Sequence, residues 1–89
     1  MFAAPYVNAH GVTVQHTESG VLYTHNGHTM SYDGDGTDGE VFVDDAFFAY
    51  YNKDEHGTMI EDADGNEITL LYNDEDSYER YALSVLSAL

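Results

Sequence analysis

Two sets of side chains have the types and spacing to do chemistry. In Asp33-Gly34-Asp35-Gly36-Thr37-Asp38-Gly39-Glu40 four carboxylates fall within eight residues, and hard cations such as calcium prefer oxygen ligands. The run does not fit the EF-hand loop, which needs glycine at its sixth position, where Asp38 stands. Asp62-Ala63-Asp64-Gly65-Asn66-Glu67 reads as half a calcium loop and equally as an Asp-Gly hairpin turn. Asp33, Asp35, Asp62 and Asp64 are therefore candidate metal ligands without a completed set, and no cofactor is expected beyond loosely held cations. His25 and His28 flank Asn26-Gly27 and would present two imidazoles to zinc or nickel. The spacing supplies no third ligand from His10, His16 or a carboxylate, and the pair reads equally as aromatic neighbours at a hairpin tip.

Enzymatic motifs are missing. The sequence contains no nucleophile elbow, phosphate-binding loop or paired-histidine helix. Seventeen acidic residues and five histidines allow so many acid–base pairs that none stands out, and no enzyme is expected. There is no cysteine, which excludes disulfides and thiolate metal sites. Lys53 and Arg80 are the whole basic complement, so direct nucleic-acid binding lacks its electrostatic footprint.

Charge dominates the composition. The 89 residues carry a net charge of −15, which at low ionic strength opposes compaction by self-repulsion. At molar salt the screening length falls to ~3 Å and the repulsion is suppressed. The distribution is uneven. Residues 1–32 hold one acid, Glu18, and no base, whereas residues 33–89 hold sixteen acids and both bases, a net of −14. Four histidines, His10, His16, His25 and His28, lie in the uncharged third. That third is expected either to be covered by a partner or to form the central strands of a sheet.

The elements that must position these residues follow from periodicity. Val12 to His16 alternates as a strand. Val21 to Tyr32 reads as a hairpin about Asn26-Gly27, with His25 opposite His28, Tyr23 opposite Met30 and Val21 opposite Tyr32 on one face. Asp33–Glu40 is expected to be a flexible acidic loop. Strands are expected at Val41–Val43, Ala46–Tyr51, Thr58–Glu61 and Glu67–Tyr72, with turns at Lys53–Gly57 and Asp64-Gly65. From Asp76 the apolar residues Tyr78, Tyr81, Ala82, Val85, Leu86 and Leu89 mark one helical face, with Asp76 and Glu79 placed like a capping box. The expected fold is mainly β: a small antiparallel β-barrel or curved meander sheet of seven or eight strands with one C-terminal amphipathic helix. It forms one domain over 1–89, with an N-terminal arm at 1–8, the meander at 12–72 and the helix at 76–89.

No stretch approaches the roughly 18 apolar residues of a membrane span, and Met1-Phe2-Ala3-Ala4-Pro5 does not read as a signal peptide. The expectation is a protein that works without membrane insertion. The acid-rich, lysine-poor composition resembles that of haloarchaeal proteins and their viruses, which implies the virion or cytoplasm of a halophilic host. An apolar arm followed by His10-Gly11-Val12-Thr13-Val14-Gln15-His16 is similar in pattern to the first strand of some head-completion proteins. The small β fold resembles head–tail connector, decoration and tail proteins of tailed viruses. Together these resemblances imply a structural component of a haloarchaeal virion whose partners are protein subunits, in a homo-oligomer or a hetero-assembly. The contacts are expected from Phe2, Pro5, Tyr6 and Val7 and from His25 and His28. The alternative is an acidic module that imitates DNA, which would need its carboxylates on one continuous face.

Overall fold

The computed structural model describes residues 4–89. Eight strands run β1 (Tyr6–Val7), β2 (Thr13–Thr17), β3 (Gly20–His25), β4 (His28–Gly34), β5 (Asp38–Val43), β6 (Ala46–Asp54), β7 (Gly57–Glu61) and β8 (Glu67–Leu71), followed by helix α1 (Glu75–Ser87). Their order in the sheet is their order in the chain, each antiparallel to the next. The two ends do not pair, so of the two expected forms the structure is the curved meander and not the closed barrel. Curvature is nevertheless strong, because α1 packs against β3, β4 and β8 together. In a flat sheet β4 and β8 would lie roughly 19 Å apart at about 4.8 Å per strand. A helix about 10 Å wide spans that gap only if the sheet curls around it.

The hairpin at the centre follows local chemistry. Asn26 and Gly27 both take left-handed backbone, φ 53° and 79°, as a two-residue type I′ turn demands. His25 therefore pairs with His28, Tyr23 with Met30 and Val21 with Tyr32, as expected. Tyr23, Met30 and Tyr32 point into the core with Val14, Val41, Ala49, Tyr51, Ile60 and Leu71, and the helix closes it with Ala82 and Leu86. Tyr32 sits at the middle of three edge-to-face contacts, 6.1 Å from Tyr23 and 5.6 Å from both Tyr51 and Tyr78. That geometry sets the positive ring edge of one phenol against the negative face of the next.

Several expectations change. Residues 33–40 do not form a flexible loop: β4 runs to Gly34, β5 resumes at Asp38, and the Asp35 carboxylate knots the turn by accepting from the Thr37 and Asp38 amides at 2.9 and 3.0 Å. Gly34 and Gly39 are cross-strand partners with Tyr51 lying across them. A Cβ on Gly39 would come within 2.2 Å of the Asp33 carbonyl oxygen, so both glycines serve close packing. The second hairpin is not a two-residue Asp64-Gly65 turn. It spans 62–66, with Asp62 accepting from the amides of Asp64 and Asn66, both at 2.9 Å. The helix begins at Glu75 with Asp74 as its N-cap, accepting from the Ser77 amide at 2.7 Å, and not with an Asp76 box. Glu79 is buried although it lies outside the apolar stripe, and Leu83, also off the stripe, packs against the core. Tyr6 and Val7 of the expected arm form a short strand against Val14 and Thr13.

Candidate interaction surface

The inner face of the sheet is filled, so any site for a partner lies on its edges or its outer face. Cross-strand pairing decides which residues reach that outer face. Glu40 pairs with Tyr50 and Tyr50 with Glu61; Asn52 pairs with Met59 and Met59 with Leu70. Between Val41 and Phe42 the register with β6 slips by one residue, so that Phe42 faces Phe47 and Phe48 is left over. Such a bulge re-aims side chains: Phe48 packs against the core while Phe47 remains 41 % exposed.

The result is an uncovered apolar patch on β5 to β8. Phe47 and Tyr50 stack edge to face with ring centroids 4.9 Å apart, and Tyr50 is 49 % and Leu70 53 % exposed. Partly buried Phe42 and Met59 fill in between. Beside Tyr50 a cleft of about 370 Å³ is lined by Asp38, Glu40, Asn52 and Glu61. Tyr50 thus lies between two carboxylates, an arrangement that favours a cationic side chain laid over the phenol ring. On β2 to β4 the same outer face carries Thr13, Gln15, Thr24, Thr29 and Ser31, with Leu22 its one apolar member between Gln15 and Ser31.

Of the histidines and aspartates singled out by the sequence, His25, His28, Asp35 and Asp62 are engaged in hydrogen bonds that hold turns and loops. His25 and His28 are brought face to face, yet each is directed elsewhere: His25 Nδ1 lies 3.2 Å from the Gly11 carbonyl, and His28 Nδ1 lies 2.7 Å from Asp44 Oδ2. Asp44 also accepts from the Thr29 amide at 2.9 Å. These bonds, the Thr29 amide before His28, hold its carboxyl below the usual carboxylate range. In the same way His10 Nε2 lies 3.0 Å from Asp76, and this bond is the main reason the Asp76 carboxyl is lowered. Asp35, bonded by the Asp38 and Thr37 amides and the Thr37 hydroxyl, is lowered to about 2. Asp62 is lowered chiefly by the Asn66 amide. Asp33 and Asp64 are exposed, the former opposite Glu40. Among the described residues no three histidine or acidic side chains converge as a metal-ligand set.

Of the expected contact residues, Pro5, Tyr6 and Val7 are exposed at one sheet edge, with the Tyr6 ring 6.5 Å from that of His16; Phe2 lies outside the described residues. A second set of exposed apolar side chains, Phe47, Tyr50 and Leu70, was not selected from the sequence. Its one signal was the run Ala46-Phe47-Phe48-Ala49-Tyr50-Tyr51, apolar at both parities where a half-buried strand should alternate. No protein-family model matches the chain, and neither the curated proteins nor the solved structures contain a significant match to it.

Proposed function

We propose that this chain is a structural subunit of a larger assembly working in concentrated brine, with the virion of a haloarchaeal tailed virus as its setting. The observation that carries this reading is the uncovered aromatic patch of Phe42, Phe47 and Tyr50, bordered by Glu40 and Glu61. Contiguous apolar patches with a polar rim mark interaction sites on small proteins, and aromatic anchors dominate the centres of such contacts. The matching partner is a protein subunit with an apolar centre and lysine or arginine around it. The charge fits the setting: at molar salt a net −15 is screened, and the fold loses its main electrostatic penalty.

Carboxylate placement favours assembly over imitation of DNA. A meander sends successive turns to opposite ends of the sheet, and acidic turns occupy both. Asp44-Asp45 and Asp62 with Asp64 lie at one end, and Asp35 and Asp54-Glu55 at the other. The acidic turns are thus divided between the two ends of the sheet.

The test is sedimentation of the tagged chain from a haloarchaeal host in molar potassium chloride, with cross-linking to locate contacts. The reading expects a defined complex cross-linked near Phe47 and Tyr50, and a Phe47→Ser/Tyr50→Ser variant that stays folded by circular dichroism but runs free. If natural and variant chains both run free, the reading fails.

A further inference from the structure

We propose that the outer face of β4 to β8 docks an extended, arginine-rich segment of a partner protein, laid across the strands over Tyr50. This rests on the reading of the chain as an assembly subunit and names the partner's chemistry at the Tyr50 patch. The register sets one row of side chains opposite one another across the strands. Asp33 pairs with Glu40, Glu40 with Tyr50, Tyr50 with Glu61 and Glu61 with Glu67. The last pairing includes the bulge in β8: the register shift between Ile60 and Glu61 leaves Ile68 out and brings Glu67 to Glu61. At about 4.8 Å per strand the row runs roughly 19 Å, with a phenol at its centre and carboxylates to either side. Phe42 and Phe47 flank it on one side, Met59 and Leu70 on the other.

The chain supplies no cation to this row. Like charges directly opposite on neighbouring strands repel, and Asp33 faces Glu40 as Glu61 faces Glu67. Lys53 pairs with the fully buried Thr58 and so belongs to the inner face. Arg80 is bonded to Asp76 on α1. Among the described residues none of the four row carboxylates enters an ion pair. The row is thus a cost to the isolated fold that a cationic partner removes on binding. A phenol between two carboxylates selects arginine, whose planar guanidinium stacks on an aromatic face, bonds carboxylates bidentately and is more weakly hydrated than an ammonium. Its apolar stem covers the flanking phenylalanines. The sheet curls around α1, so its outer face is convex across the strands. A straight helix would touch only the middle of the row, whereas about six extended residues reach along all of it. Molar salt, with a screening length of ~3 Å, removes the long-range field but leaves charges in contact and stacked rings.

The probe is a synthetic peptide of about six residues, alternating arginine and alanine. Its control carries citrulline, the neutral isostere, in place of arginine. In molar potassium chloride the arginine peptide is expected to shift the amide resonances of Glu40, Tyr50 and Glu61, and the citrulline peptide to leave them in place. Glu40→Gln/Glu61→Gln, with an unchanged circular dichroism spectrum, should weaken arginine-peptide binding about tenfold or more. Two results would overturn the proposal: equal binding of the citrulline peptide, or arginine-peptide binding that survives Glu40→Gln/Glu61→Gln. In the host sedimentation the same variant is expected to run free. If it still enters the complex while Phe47→Ser/Tyr50→Ser does not, the acidic row is refuted and the assembly reading stands. A natural chain that binds no arginine peptide and also runs free in the host refutes both.

Discussion

Tyr50 and Tyr51 are neighbours on one strand and have opposite fates. Tyr51 is buried across the glycine pair Gly34 and Gly39, where it meets Tyr32 edge to face. Tyr50 stands half-exposed between Glu40 and Glu61. Residue type does not separate them; strand parity does. The inner face spends its aromatics on cohesion around Tyr32, and the outer face leaves Phe47 and Tyr50 available. Substitutions on the inner face should therefore cost folding free energy, and those on the outer face should cost association.

The largest expected effect is on the inner side. Tyr32→Ala removes a ring held by three aromatic contacts and should destabilise the fold by about 3–5 kcal/mol, the usual cost of deleting a buried aromatic. Denaturant unfolding in molar potassium chloride measures it, and a loss below about 1 kcal/mol would mean that the tyrosine cluster does not hold the core. Ionising the same face acts in the same direction. Burial raises the Tyr23, Tyr32, Tyr51 and Tyr81 phenols above their ordinary value of 10.0. Above that pH the unfolded chain releases protons that the folded chain retains, so stability is fully present below pH 10.0 and falls as the pH rises through it. Unfolding midpoints compared at about pH 8 and about pH 11 should show the drop; equal midpoints would contradict the burial.

Smaller effects test how the face is built. Gly39→Ala forces a methyl group against the Asp33 carbonyl and the Tyr51 ring and should cost about 1–3 kcal/mol, as overpacking does. On the outer side Tyr50→Ser should change stability by no more than about 0.5 kcal/mol while removing the chain from its complex. A Tyr50→Ser variant as unstable as Tyr32→Ala would erase the distinction between the faces.

The hairpin at Asn26-Gly27 was readable because its turn chemistry is local, and the helix because its stripe repeats over three turns. The turn at Asp44-Asp45 was not readable as a type I′ turn, since both left-handed residues are aspartates, φ 51° and 65°, stabilised by His28 and Thr29 from another hairpin. The order within 33–40 was hidden for a related reason. Glycines and aspartates look flexible in sequence, but here Gly34 and Gly39 make room for Tyr51 and Asp35 binds the amides of its own turn. The outer patch was missed because charge served as the marker of surface. Residues 1–32 hold a single acid, Glu18, but the outward positions of β2 to β4 are mostly threonine, serine and glutamine, which water solvates well, with Leu22 the apolar exception. Phe47, Tyr50 and Leu70 lie in the acidic part of the chain, and a bulge at Phe48, invisible in the sequence, sets which phenylalanine is exposed.

One atom on the inner face sharpens the comparison further. The Tyr32 hydroxyl is buried and finds no hydrogen-bond partner among the described residues, whereas the Tyr78 hydroxyl beside it bonds the Thr58 hydroxyl. An unpaired buried hydroxyl costs its desolvation, and removing it returns that cost without opening a cavity. Tyr32→Phe should therefore leave stability unchanged or raise it by up to about 1 kcal/mol, with the ring contacts to Tyr23, Tyr51 and Tyr78 retained. A loss of about 1 kcal/mol or more would show that the hydroxyl is bonded in solution, by a buried water within the aromatic cluster. The inner face would then be held by a polar link as well as by packed rings, and the contrast with the outer face would rest on hydration as much as on parity.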